Sequence, residues 1–471
     1  MSKTQGVFGG VFFDTYTYMY DRYCMSCSRR RLSFPLSPPV SSLPSSPRAC
    51  SRAFDRGCRR PLSAAAFCIT FIASTGAVRP AHAQAPAARA GTPTRRAAPP
   101  SSRHVRLDTI ARAGDRFTAA LEGGAQAELT LDARLQDATE EVFRSFQLPY
   151  AAAVVLSIPD GRVLALAGHS SASPELGVEE LALHPWAPAA SIFKVVSAAA
   201  LISDGGLTST TRTCYHGGVS SVLPDNLIDI PRIDRTCSTL AYGIGKSQNA
   251  IIAKLATNHL TPEKLDRMAH AFGFGEAIPF DAPVEPSQIA IPSDDRLEFA
   301  RSAAGFWHST LSPLHGALVA ATVANRGEMP TPRIIERAFT GEGQPLSLPS
   351  SRPRVVVAPE VAREVGQMME LTTRMGTAKH AFHDRKGRAL LPVSVAGKTG
   401  TLSAQTDKGY LGYSWFVGFA PADHPRIAFA VVLGNKATWH IKASYVGRRI
   451  VEEYLAGQDG DRRPHLLTAA R

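Results

Sequence analysis

From about residue 126 the chain breaks into short apolar runs separated by turn residues, and the spacing within each run predicts its element. "AAAVVLSIPDGRVLALAGHS", residues 151–170, is two β-rich runs around Pro159-Asp160-Gly161, which predicts a hairpin. Near the other end, "VSVAGKTGT", "YSWFVGFAP" and "RIAFAVVLGN" read as three further strands, and "HIKASYVGRRIVEEYL" closes the region as an amphipathic helix. Between these groups the period turns helical. "SPLHGALVAATVANRG" has Ser312 at the cap, Pro313 in the first turn and Gly327 past the end, and Pro359 opens "PEVAREVGQMMELTTRM". The pattern predicts an α+β domain over 126–458: an antiparallel five-stranded sheet built from both ends, flanked by helices, with an all-helical subdomain inserted.

Charge and cysteine placement set the N-terminal part aside. Residues 1–105 carry 15 Lys and Arg against 3 Asp and Glu, so the net +12 of the 471-residue chain resides there; the remainder carries 37 of each sign. A neutral body gives no footprint for nucleic acid. "RRPLSAAAFCITFIASTGAVRPAHAQA" has an Arg59-Arg60 start, an apolar stretch and a small-residue "AHA" ending at Ala83, the layout of a secretory signal. Left uncleaved, it would be a membrane anchor at the short limit for a span. Residues 1–58 then read as a disordered extension or a start site placed too far upstream, 84–125 as a Pro/Ala linker and 459–471 as a flexible tail. This layout predicts an exported protein, periplasmic or extracytoplasmic, or anchored to the inner membrane. Five of seven cysteines lie in the N-terminal tract; Cys214 and Cys237 in the body form one disulfide if the chain is exported, or remain two buried thiols. "CMSC" lacks a second ligand pair, and His380 and His383 lack a cluster, so no metal is expected.

The chemistry gathers around "SIFK", where Ser191 opens a small-residue helix and Lys194 follows three positions later. On a helix the two share a face. A lysine within an apolar run loses hydration of its charged form, so its pKa falls and a neutral amine can take the serine proton. With 39 Ser and 11 Lys, about one S-x-x-K arises by chance, so the pair alone proves little. "SQN" adds Ser247 and Asn249, and "KTGT" adds Lys398, Thr399, Gly400 and Thr401 on a strand; the three sets together have a random expectation of about 0.02. In acyl transfer, Ser247 can relay a proton. Lys398 can bind a carboxylate and hold the field positive. Gly400 can let a substrate backbone approach, and the N–H groups of Ser191 and Thr401 can form an oxyanion hole.

"SIFK", "SQN" and "KTGT", in that order, resemble the penicillin-binding proteins, the transpeptidases that crosslink peptidoglycan. The likeness extends over roughly 126–455, including the lead-in "LTLDARLQDATEEVF" and "AGKTGTLSAQ" with the neighbouring strand. It implies a β-lactamase/transpeptidase-like fold and acylation of Ser191 by a D-Ala-D-Ala stem peptide. An amine (transpeptidase) or water (carboxypeptidase) would resolve the acyl-enzyme, β-lactam antibiotics would acylate the same serine, and no cofactor is needed. Cys214 and Cys237 sit where related transpeptidases often show a cysteine pair. The chain departs from the family in "PAA" before Ser191, where Pro-Gly-Ser is usual.

Two rivals remain. A serine β-lactamase needs a base for deacylation; "E-x-x-L-N" and "Y-G-N" are absent, and Glu276, Glu285 and Glu298 read as surface carboxylates. A non-catalytic penicillin sensor or cell-wall scaffold fits poorly with intact Ser191, Lys194, Ser247 and Lys398. Trp307 reads as a packed aromatic, His308 as a capping histidine, and Tyr413 and Trp415 as buried strand residues.

Overall fold

The computed structural model describes residues 104–406 and 409–462. The expected extension 1–58 and signal or anchor 59–83 lie outside the described residues. No helix among the described residues is long and apolar enough to cross a membrane.

The main sheet has five antiparallel strands in the spatial order Ala396–Thr406, Gly409–Ala420, Ile427–Asn435, Tyr150–Ser157, Val163–His169. The N-terminal hairpin thus adds to the C-terminal meander, with Phe429 opposite Val155 and Val431 opposite Ala153. The Ile427–Asn435 strand is buried on both faces, and its period of two sorts side chains into two cores. Ala428, Ala430 and Val432 join the core that holds the helix Pro313–Ala324; Ile427, Phe429, Val431 and Leu433 join the core under helices Ala133–Ser145 and Ala443–Arg462. Helix Pro313–Ala324 can lie flat on the sheet because Gly316 faces the Ala430 methyl, where a Cβ would come within 3.1 Å. Its Ser312 cap accepts from the His315 N–H, as the sequence predicts.

Three expectations change. The linker assigned to 84–125 is folded where it is described: Ala111–Ala113 and Arg116–Ala120 are strands of a second five-stranded sheet, with Gln126–Leu129, Ile335–Phe339 and Pro345–Leu346. The sequence hides this sheet because its strands are short and Gln126–Leu129 pairs with a segment some 200 residues on. The inserted segment, expected to be all-helical, also carries strands: the ribbon Arg212–Tyr215 with Thr236–Thr239, and the short pairs Ala187–Pro188 with Thr310–Leu311 and Glu328–Met329 with Arg354–Val355. The last helix runs to Arg462, beyond the boundary set at 458.

Beneath the strand Ala396–Thr406, Phe416 stacks between Phe382 and Phe429, with centroids 5.5 and 5.7 Å away. Gly397 and Gly447 make room for its ring, since a Cβ on either would come within 2.5 Å of it. Phe416→Ala empties this slot and is expected to lower the unfolding free energy by about 3–5 kcal/mol, read from the denaturant midpoint. A loss below about 1 kcal/mol would mean that the slot collapses without cost.

Candidate active site

Ser191 is the second residue of a 3-10 turn, Ala190–Phe193, which runs into the helix Lys194–Ser203. In 3-10 geometry residues three apart eclipse one another, so the serine and lysine are stacked more directly than on an α-helix. Lys194 Nζ lies 2.7 Å from Ser191 Oγ, 2.7 Å from Asn249 Oδ1 and 2.5 Å from the Ala304 carbonyl. Lys194 is fully buried. Burial is the main cause that pushes its pKa well below that of a free lysine, and the positive charge of Lys398 adds to it. A neutral amine suits these three neighbours. Its two N–H groups donate to the amide and carbonyl oxygens, and its lone pair faces the serine hydroxyl.

Ala190 adopts the left-handed backbone, φ +50°, at the position where glycine is usual. The conformation is held from two sides. Gly305 lies so close that a Cβ there would fall 2.2 Å from the Ala190 carbonyl, and a Cβ on Gly400 would meet the Ala190 and Ile192 side chains at 3.3 Å. Gly400 faces inward, on the side of Trp415, so its lack of a side chain seats the strand on the nucleophile turn; that replaces the substrate-approach role read from the sequence. Trp415 locks the same junction by donating from Nε1 to the Pro188 carbonyl at 2.9 Å.

The second pair comes from the turn "SQN" and the edge strand Ala396–Thr406. Ser247 also has a left-handed backbone, φ +56°, between the helices Leu240–Gly245 and Asn249–His259. Its Oγ accepts from Lys398 Nζ at 2.8 Å, and Lys398 also donates to the Thr399 carbonyl at 3.0 Å. Lys398 is fully buried, and burial lowers its pKa to about 7. Thr399 and Thr401 line the same cavity, of about 520 Å³, as Ser191, Ser247 and Asn249. All eight site residues read from the sequence therefore fall in or directly beside one cleft.

Distant segments supply what the sequence reading missed: the Ala304 carbonyl, Thr377, whose hydroxyl meets that of Thr399 at 2.5 Å, and Val219, whose carbonyl accepts from Asn249 Nδ2. Cys214 and Cys237 oppose one another in the ribbon and form a disulfide. Below it Lys254 Nζ donates to the Cys214 carbonyl and to Asp234. Burial opposes ionisation of Asp234, yet hydrogen bonds from His216, the Ile230 N–H and Lys254 outweigh it and hold the carboxyl at about 2. Lys254 carries the same sequence signal as Lys194, a lysine inside an apolar helix. Trp307 is 44% exposed, which corrects its reading as packed, and His308 pairs with Glu298 at 2.9 Å instead of capping a helix. Tyr413 and Trp415 are buried as expected. Glu276, Glu285 and Glu298 stand outside the cavity, each beside a histidine: His270, His184 and His308. Among the described residues no cluster of His, Cys, Asp and Glu is arranged to hold a metal ion.

A family profile described as "Penicillin binding protein transpeptidase domain" matches residues 151–455. The peptidoglycan D,D-transpeptidase PbpA of Mycobacterium tuberculosis is 27% identical over 387 residues, 74% of this chain and 76% of that protein. A crystal structure of PBPA from that organism matches with a TM-score of 0.58 at 24% identity, over 70% of this chain and 81% of its own. A further structure of the same protein, a ceftriaxone acyl-enzyme complex, also gives 0.58 at 24% identity, over 70% and 80%.

The two buried lysines make stability depend on pH. Between about 7 and the free-lysine value of 10.5, the folded chain binds fewer protons at Lys398 than the unfolded chain. Its unfolding free energy therefore rises with pH across that window, and the cost of burial is greatest below it. Lys398→Met is expected to raise stability at pH 7 by on the order of 1–4 kcal/mol and to flatten the rise between pH 7 and 10. Denaturant melts of both proteins at pH 6, 7, 8.5 and 10 check this; parallel pH curves would contradict it.

Proposed function

The chain belongs to the penicillin-binding protein transpeptidase family, and from that premise we propose that it is a serine D,D-transpeptidase acting on D-Ala-D-Ala stem peptides of peptidoglycan. The observation that carries the reading is the buried Lys194 amine 2.7 Å from Ser191 Oγ, with the Ser247–Lys398 pair beside it. Lys194 takes the Ser191 proton as Oγ attacks the carbonyl of the penultimate D-alanine. The N–H groups of Ser191 and Thr401 hold the oxyanion. As the C–N bond breaks, Ser247 relays the proton from Lys194 to the departing D-alanine amine. An amine of a neighbouring stem then attacks the ester and regenerates Ser191; water in its place gives carboxypeptidase turnover. Lys398 bonds Ser247 and keeps the local field positive, while Asn249 orients Lys194.

Against the lactamase reading, no carboxylate is among the residues that line the described cavity, so a water has no acidic side chain to activate it toward the ester. Acylation is then fast relative to hydrolysis. Among the relatives, PBP A of M. tuberculosis forms an acyl-enzyme with ceftriaxone. The Cys214–Cys237 disulfide suits an exported protein that works outside the cytoplasm, on the wall side of the membrane.

Fluorescent penicillin is expected to label the wild type covalently, with the adduct on Ser191 by mass spectrometry, and to leave Ser191→Ala unlabelled. Equal label on Ser191→Ala would rule out the acyl-enzyme, and rapid nitrocefin turnover would favour a lactamase. Lys194→Met is expected to slow acylation by about 10²–10⁴-fold. The acylation rate constant over affinity, k2/K, rises with pH as Lys194 loses its proton. It falls above about 7 as Lys398 loses its charge.

A further inference from the structure

The cleft is cationic at its outer end, and the cation there is not one of the motif lysines. Two exposed lysines, Lys246 and Lys442, line the cavity, and no Asp or Glu is among its lining residues. Lys246 is already engaged, since its ammonium donates to the Met375 carbonyl. The Lys442 side chain has no hydrogen bond or ion pair among the described residues, and the residue immediately precedes the 20-residue helix Ala443–Arg462, whose N-terminus carries partial positive charge. Two serines flank it. Ser414 stands directly opposite Thr401 on the neighbouring strand, and its Oγ accepts from the Ala443 N–H at 3.1 Å, which leaves its own hydroxyl hydrogen to donate. Ser444 is only 7% exposed and lines the cavity, yet its hydroxyl has no partner among the described residues. Its Oγ keeps contact with the solvent of the cavity and is free to bond a ligand that enters there.

We propose that Lys442, Ser444 and Ser414 form an anion-binding position that holds the free α-carboxylate of the leaving D-alanine, or the equivalent carboxylate of a penicillin, beside Thr401. The proposal rests on the acyl-enzyme reading above and assigns the charge recognition within it. Lys398 is poorly suited to carry that recognition alone. Its Nζ is committed to Ser247 Oγ and the Thr399 carbonyl, and its charge fades from about pH 7 upward. The exposed Lys442 side chain has no such commitment and can face the ligand while Lys398 serves the proton path. Selectivity for donors with a free carboxylate then comes from Lys442.

The test compares k2/K for benzylpenicillin and for its methyl ester, which lacks the anion, in the wild type, Lys442→Met, Lys442→Arg and Ser444→Ala. The wild type is expected to prefer the acid, and Lys442→Met to lower the acid-to-ester ratio by about 10–100-fold, the size of a charge-assisted hydrogen bond. Lys442→Arg recovers most of the ratio, and Ser444→Ala lowers it by less than Lys442→Met. A ratio unchanged in Lys442→Met, or an equal loss for acid and ester, overturns the proposal while leaving the acyl-enzyme intact. A wild type that takes no label from either compound overturns the acyl-enzyme reading itself.

Discussion

The site depends on one unfavourable act: placing an ammonium-bearing side chain where water cannot reach it. Burying an isolated charge costs far more than a fold of marginal stability can spare, so the group gives up its proton instead. Lys194 is held in that condition by its surroundings. The helix it opens is built from Val, Ala, Leu and Ser residues that are buried almost throughout, and the nearby charge of Lys398 works against any return of the proton. The two oxygens that receive its N–H groups, from Asn249 and Ala304, aim the lone pair at Ser191. A residue type that ordinarily lies on surfaces is thereby turned into a base.

The rest of the fold brings a second strand against this pair. The catalytic strand is at the edge of the main sheet, anchored along its inner side to Gly409–Ala420 and open along its outer side. Contact between strand and nucleophile turn is close enough to demand glycine at 400 and 305, and the Trp415 hydrogen bond to Pro188 fixes their separation. Backbone strain collects at the same place: Ala190 and Ser247 both hold positive φ, each at a cost of about 1–3 kcal/mol that the packed neighbourhood must sustain. Ala190 shows that the left-handed corner is set by its neighbours as much as by the residue in it.

The sequence made the main sheet and the reacting groups legible for separate reasons. Strands such as "RIAFAVVLGN" are buried on both faces and read as continuous apolar runs, and Ser312-Pro313 punctuates its helix with local chemistry. The motif residues could be found because "SIFK", "SQN" and "KTGT" occur together in one chain, where a lysine in an apolar run alone proves little. The second sheet was not legible: its strands are short, and Gln126–Leu129 pairs with Ile335–Phe339, too far along the chain for any local period to connect them. The same holds for Ala304 and Val219, which contribute backbone oxygens that any residue could supply. Lys254 carries the same local signal as Lys194, but no motif accompanies it. Ser444 carried none, since an unpaired hydroxyl becomes visible only once its neighbours are placed.

The protonation state of Lys194 is the claim on which the account turns. An NMR titration of protein labelled with ¹³C at lysine Cε, with the Lys194→Arg variant used to assign the signal, reads it directly. The account predicts that the Lys194 resonance reaches the shift of a neutral amine well below the pH at which free lysine titrates. A resonance that stays in the ammonium position until about pH 10, as for lysine in water, would contradict it.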